Sequence, residues 1–373
     1  MIDSDSRLPR YVFLSPNEVE VYRTATDKGV FDLITAERWW RDRRDYLVSR
    51  GYDLRPRYHP GWVPSWKGTL RDPTFCEDCI SLVDPHVIDA LRIDSSARVS
   101  IKCIRKNAKE IEIAKSLTSP NLLEDPRNHC VPILDSFPDA FEQDAVLMVM
   151  PYLCPFDDPP LQTVGEMLDF MKQTLEGLSF IHSQNVAHRD CASANIMMDA
   201  SPLFPEGHHP VRRYFSEDGI YPLTPLSRLN HPVRYYFIDF GISTRFAPDE
   251  SHLVTGAKGR DKELPELSRD VPYDAFKADI FILGNLYKKE LLEKYHDLDF
   301  LSHLVTAMTH RDPNRRPTVQ FALSFFQVIF ETRNSYTLRS RLRPKDENVV
   351  ERVVYDTMAM ARETFYHLKR IVA

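Results

Sequence analysis

Glycine is missing from residues 69–164 of this 373-residue chain, although twelve glycines stand elsewhere. A backbone that must turn at positive φ or approach a ligand closely has lost its usual residue there. Long apolar runs are missing too, and none approaches the roughly 20 residues of a membrane-spanning helix. The opening MIDSDSRLPR has neither a basic n-region nor an apolar h-region, so no secretory signal is expected. Six cysteines in a chain this long make no disulfide framework, which leaves a reduced cytosolic or nuclear setting as the expectation. Cys76-Glu77-Asp78-Cys79 is a lone C-x-x-C, and His86, His129 and Cys130 follow it at no zinc-finger spacing. Free thiols at a loop edge are expected in preference to a structural zinc. An excess of positive charge is missing as well: net charge is −6 and the pI is near 6.1, which argues against a general nucleic-acid binder. Neither an internal repeat nor a low-complexity tract is present.

What is there suits a globular protein of one large or two modest domains, with 43% hydrophobic and 27% charged residues. Ser15-Pro16-Asn17-Glu18 predicts a helix start, with Ser15 as cap, Pro16 in the first turn and Glu18 reaching back. Residues 35–50 predict a second helix, stopped by Gly51, whose Trp39-Trp40 pair is read as packing aromatics. The Pro-, Trp- and Tyr-rich residues 55–67 predict an irregular connector. Residues 87–93 and 97–104 around Asp94-Ser95-Ser96 predict strand, turn and strand. Val99 and Ile101 fall on one face of the second strand, Ser100 and Lys102 on the other. A helix is expected over residues 107–117 and strands over 131–137 and 145–150. Val164, Met167, Leu168, Met171, Leu175, Leu178 and Ile181 follow a helical period. Residues 278–295 read as a core helix and 349–371 as a terminal one, with Val350, Val353, Val354 and Met358 on one stripe.

The chemistry sits in His188-Arg189-Asp190-Cys191-Ala192-Ser193-Ala194-Asn195 and, downstream, Asp239-Phe240-Gly241. Two carboxylates and an amide in a loop and at a strand end can hold Mg²⁺-ATP and take a proton from a hydroxyl. H-R-D-x-x-x-x-N with D-F-G resembles the protein kinase superfamily. The resemblance implies a bilobal α+β fold: a small antiparallel N-lobe sheet with one helix, then a larger, mainly helical C-lobe. It covers roughly residues 78–332, with an N-lobe over 78–153 and a C-lobe over 154–332. Residues 1–77 would be an N-terminal helical and irregular extension, and 333–373 a C-terminal helical one. It implies Asp190 as catalytic base, Asn195 and Asp239 as magnesium ligands, and Lys102 of Val99-Ser100-Ile101-Lys102 on the ATP phosphates, held by Glu110. Val87, Ser100 and Met197 would sandwich adenine, with Met150 as gatekeeper. The Pro151 C=O and the Leu153 N–H would meet the edge of the purine. Pro265-Glu266, 27 residues past Asp239, ends the activation segment; Asp279 stands on the central helix; and Arg316 of Asp312-Pro313-Asn314-Arg315-Arg316-Pro317 would pair with Glu266. Arg189 would meet a phosphate on the activation segment, at Thr255 or Ser251.

The pattern also breaks. Counting back from Lys102 puts Ile80, Leu82 and Pro85 where three phosphate-cradling glycines would stand, with Asp84 alongside. Weaker ATP binding or a rearranged roof is expected. Ala192 and Ala194 occupy the places of the usual catalytic-loop cation. Between Asn195 and Asp239 lie 43 residues, so 199–233 are expected as an exposed, proline-rich insertion. With Gly259-Arg260-Asp261-Lys262, that spacing resembles a little-characterised kinase-like family of fungi. Three functions stay open: an ATP- and Mg²⁺-dependent protein kinase; a pseudokinase scaffold, suggested by the missing glycines and cation; and a small-molecule kinase of related fold, which Glu266 and Arg316 disfavour. The partner of the first is a protein substrate, with no nucleic acid or membrane expected.

Overall fold

The computed structural model describes residues 8–105 and 109–357. The chain divides into two units: Met1–Asn107 with Ile133–Tyr152 and Ser201–Leu226, and Ala108–Pro132 with Leu153–Ala200 and Ser227–Ala373.

In the first unit, α1 (Pro16–Asp27) starts at Ser15, whose N–H and hydroxyl both donate to Glu18 Oε2, at 2.8 and 2.6 Å, the reach-back half of the expected capping box. Residues 35–50 form two helices rather than one, α2 (Thr35–Arg41) and α3 (Arg44–Ser49). The break has a cause. The Arg43 N–H takes the Trp40 carbonyl three residues back, and its guanidinium turns inward to Asp139, 2.7 Å away, lying over the Trp39 ring. Next comes β1 (Tyr52–Asp53), then the hairpin β2 (Val87–Arg92) and β3 (Arg98–Arg105), then β4 (Asp135–Pro138) and β5 (Ala145–Pro151). The antiparallel sheet runs β1-β2-β3-β5-β4. Its registers Ile88↔Ile101 and Ile101↔Val149 put alternate apolar residues on one face. Leu33, Trp40, Leu47, Tyr52, Leu54 and Tyr58 of the extension close over that face as a single core.

That extension also rebuilds the roof. The strand beside β2 is β1, pairing Tyr52↔Arg92 and Asp53↔Leu91 from far upstream. Each of the three residues at the glycine positions is tied to the extension through its main chain. Arg55 donates to the Ile80 carbonyl at 2.8 Å, the Leu82 N–H donates to Glu37 at 3.2 Å, and Trp40 donates to the Pro85 carbonyl at 3.1 Å. Glu37 is itself buried against the Arg57 guanidinium, at 2.8 Å.

The insertion does not lie exposed as expected. Leu203, Phe204, His209 and Ile220 are buried. His209 Nε2 lies 3.5 Å from Glu77, the Tyr152 hydroxyl donates to the Pro210 carbonyl at 2.6 Å, and the Tyr11 hydroxyl donates to that of Ile220. Proline marks irregular backbone here, and the apolar residues between the prolines supply the burial.

The second unit holds α4 (Lys109–Leu117), α5 (Pro120–Leu123), β6 (Cys154–Pro155), the 20-residue α6 (Val164–Ser183), β7 (Val186–Ala187), β8 (Ile196–Asp199), β9 (Arg234–Phe237), β10 (Thr244–Arg245), β11 (Leu253–Val254), β12 (Tyr273–Asp274), α7 (Ala275–Tyr287), α8 (Ser302–Met308), α9 (Val319–Glu331) and α10 (Ser335–Arg339). Thr163 caps α6, accepting from the Glu166 N–H. The α7 helix begins earlier than its apolar run suggests, because the Asp274 carboxylate accepts from the Phe276 and Lys277 N–H groups, and it passes into a π turn over Lys288–Leu292. Cys130 and Val131 do not extend β4; they pair with Phe237 at the edge of β9. Residues 349–357 are helical. The rest of the expected terminal helix, Met358 included, and Asn107 lie outside the described residues.

Candidate active site

Strand β7 pairs with β10, and the turn that leaves it carries His188, Arg189 and Asp190. Asp279, fully buried on α7, fixes that turn. Its carboxylate accepts from the His188 N–H at 2.8 Å, the Arg189 N–H at 2.6 Å and the His182 ring at 3.0 Å. Arg189 is held at a φ of 67° as a result, the kind of local strain that clusters at functional sites. His188 is buried against Phe240. Its Nε2–H donates to the Ile238 carbonyl and its Nδ1 accepts from the Asp190 N–H. Burial pulls this imidazole below its ordinary pKa, so it is neutral and serves as a brace. Burial equally pushes the neighbouring Cys191 thiol well up, which removes it as a nucleophile.

Asn195 closes the loop. Its Nδ2 donates to the Asp190 carbonyl and to Asp190 Oδ2, both at 2.9 Å. That turns the acceptor oxygen of the amide away from the Asp190 carboxylate. Asp239 follows β9 at a φ of 61°. A Cβ on Gly241 would stand 3.1 Å from Asp239 Oδ1 and 3.4 Å from Glu110 Oε2, so glycine lets these two carboxylates border one spot. Phe240 is buried beside the His188 ring. Among the described residues no group of three or more His, Cys, Asp or Glu side chains is arranged for a metal. The donor chemistry nonetheless fits magnesium, which is commonly bound by one or two protein oxygens together with phosphates and water.

The other expected residues are divided between the units. In the first, Val87 pairs with Lys102 and Ser100 with Met150 across the sheet, on the face away from the extension core, and Pro151 ends β5. Leu153 and Met197 belong to the second unit, where Met197 on β8 pairs with Pro155. Asp89 belongs to no motif that would single it out. It stands opposite Ser100 in the ladder, buried, with Arg55 at 3.2 Å and Arg98 at 3.5 Å. Arg55 continues to Glu77, and Arg98 to Glu217 of the insertion. A charge chain, buried at Asp89 and Arg55, thus covers part of the sheet face that carries Ser100.

The segment that follows Gly241 is bonded to the loop. Arg189 donates to the Thr255 carbonyl at 2.7 Å and to the Thr244 hydroxyl at 3.1 Å, while the side chains of Thr255 and Ser251 are exposed. Arg316 is buried in a bidentate pair with Glu266 at 2.5 and 2.8 Å, and it also donates to the His310 and Lys277 carbonyls. Sequence reasoning marked Gly259-Arg260 as unusual without giving it a role. The Arg260 N–H donates to Asp190 Oδ1 at 2.7 Å.

A family described as protein kinase domain matches residues 85–296. Serine/threonine-protein kinase atg1 of Penicillium rubens is 30% identical over 134 residues, which cover 35% of this chain and 14% of that protein. Mitogen-activated protein kinase 10 of Arabidopsis thaliana is 26% identical over 154 residues, 41% of this chain and 37% of that one. Probable serine/threonine-protein kinase RTK1 of Saccharomyces cerevisiae is 22% identical over 246 residues, 58% and 34%. The chain therefore spans well under half the length of each of these relatives. Among the described residues no helix is long and apolar enough to cross a membrane.

Proposed function

Because the chain belongs to the protein kinase domain family, we propose that it is an ATP- and Mg²⁺-dependent protein kinase that transfers a γ-phosphoryl group to a protein hydroxyl. The observation that carries this reading is the Asp190–Asn195 pair, a buried carboxylate braced by an amide within 2.9 Å. Asp190 accepts the proton of the attacking hydroxyl. Asn195 and Asp239 offer oxygens to magnesium, which when bound neutralises charge on the phosphates. Lys102 contacts the α- and β-phosphates, with Glu110 as its carboxylate partner. Val87, Ser100, Met150, Pro151, Leu153 and Met197 form the adenine side. Thr255 is the phosphoacceptor through which Arg189 would be regulated, and phosphopeptide mass spectrometry of active protein tests this. Six free thiols suit a reducing cytosolic or nuclear setting.

The test is incubation of purified protein with Mg²⁺, labelled ATP and generic protein acceptors, beside Asp190→Asn. Transfer by the parent, reduced about 10²–10⁴-fold in the variant, is expected for loss of a general base. A second reading, a scaffold that holds nucleotide weakly, is favoured by one observation: Ile80, Leu82 and Pro85, at the counted positions of the missing glycines, are tied through their main chains to the extension. Intact nucleotide binding with no transfer to any acceptor would establish it over the first. Label confined to a metabolite would favour a small-molecule kinase, against which the buried Glu266–Arg316 pair speaks.

A further inference from the structure

The loop carries no cation past Asp190, since Ala192 and Ala194 stand two and four residues beyond the aspartate, and Arg189 is turned to Thr255 and Thr244. The Ala192 and Ala194 side of the loop borders a cavity of about 340 Å³ whose rim carries three cations, Arg260, Lys262 and Lys289. Two of these are engaged elsewhere. Lys289 lies 2.6 Å from Glu263, and Lys262 donates to the Ala257 carbonyl at 2.8 Å.

Arg260 differs. Its main chain is anchored to Asp190 Oδ1, and its Nε stands 3.7 Å from Asp190 Oδ2 with 59% of the side chain exposed. The approach depends on the preceding residue. A Cβ on buried Gly259 would stand 3.0 Å from the Arg189 carbonyl oxygen, so a side chain there would crowd the loop backbone and shift it by a few tenths of an ångström. At 3.7 Å the Nε makes no hydrogen bond, and an ion pair this exposed adds little to stability. The contact is therefore poorly explained as a fastening of the fold, in contrast to the bidentate pair that the fully buried Arg316 makes with Glu266.

We propose that Arg260, delivered by the activation segment, supplies the cation missing from the catalytic loop and stabilises the phosphoryl group during transfer. This rests on the kinase reading above. In that step the acceptor oxygen bonds to the γ-phosphorus, and the bond from that phosphorus to the bridging oxygen breaks with its electron pair leaving on ADP. The hydroxyl proton passes to Asp190. Negative charge on the transferring oxygens is what a guanidinium fork matches. The residue is catalytic in this sense, while Gly259 positions it.

The test compares the parent with Arg260→Ala, Arg260→Lys and the double variant Ala192→Lys/Arg260→Ala. It measures kcat, KM, the thermal midpoint, and direct binding of Mg·ADP with and without aluminium fluoride, a planar phosphoryl mimic. Arg260→Ala is expected to lower kcat by about 10²–10³-fold, as loss of an electrostatic stabiliser does. Mg·ADP affinity and the thermal midpoint should hold while the aluminium fluoride complex weakens by a comparable factor. Arg260→Lys should fall between, and a lysine at position 192 should restore much of the loss. A rate in Arg260→Ala equal to or above the parent's overturns the inference alone, as does equal weakening of both nucleotide complexes. A parent that binds Mg·ADP and transfers nothing overturns the kinase reading, and this inference with it.

Discussion

The loop that carries Asp190 and the sheet that carries Lys102 are fixed by different means. Three residues of the loop, His188, Arg189 and Asn195, are held by short polar bonds to Asp279 or Asp190. The sheet is fixed from a distance, by apolar cover from Leu33 to Tyr58 and by ion pairs such as Arg43–Asp139, which are 96 residues apart. Backbone N–H groups that must meet a carboxylate allow few substitutes. An apolar sheet face accepts any segment of suitable shape. A chain can therefore keep a recognisable loop and rebuild its sheet unit around a different strand and a different roof.

The contrast can be broken most forcefully at Trp40, which is fully buried. Trp40→Ala should destabilise the first unit by about 3–5 kcal/mol, read by urea unfolding. All four tryptophans, Trp39, Trp40, Trp62 and Trp66, lie in the extension, so the fluorescence of the remaining three follows that unit. A loss below 1 kcal/mol would mean that the extension is not part of the core.

Acid should separate the two units. Burial holds His129 of the second unit down to about 4 from an ordinary 6.5, even though its Nδ1–H donates to the Tyr235 carbonyl. The unfolded chain takes up a proton near 6.5 that the folded one refuses until about 4. Stability from this group is complete above 6.5 and is lost as pH falls, by roughly 3 kcal/mol in all. Glu37 of the first unit behaves differently. Burial opposes its ionisation, but the Arg57 guanidinium and the Ile34 and Leu82 N–H groups hold its carboxyl below the ordinary 4.5, so its contribution is lost only below that pH. Between pH 6.5 and 4.5, circular dichroism of the helical unit should weaken before tryptophan fluorescence changes, and His129→Gln should flatten that slope.

Asp279→Asn sharpens the comparison from the other side. An amide NH₂ would face at least one of the three N–H groups that the carboxylate now accepts from. Transfer should fall about 10²-fold, as misplacement of a catalytic group by about 1 Å does, with the tryptophan signal unchanged. The smallest effect is at the cap of α1, where Ser15→Ala should cost about 1 kcal/mol, visible as local amide exchange in the first turn.

Much of this was legible because it is local. Ser15 and Glu18 sit three residues apart, β2 and β3 are joined by a short turn, and Asp190 and Asn195 are five apart, so spacing alone could pair them. What was illegible is long-range or irregular. A two-residue strand such as β1 has no periodicity to detect. The charge chain from Asp89 through Arg55 to Glu77 joins residues that look like ordinary surface charges in sequence. Helix breakage at Arg43 depends on a carboxylate that no local pattern announces. The insertion misled because proline content reports backbone irregularity and carries no information on burial.

The assignment of Ser201–Leu226 to the first unit bears on biogenesis. A ribosome releases residues in order, and domains generally fold as units in that order. Here the amino-terminal unit cannot be completed until a stretch encoded well inside the carboxy-terminal one has emerged. Nascent chains arrested before residue 201 should therefore carry an unfinished sheet unit open to chaperones, and halves expressed separately on either side of residue 153 should fail to reconstitute it.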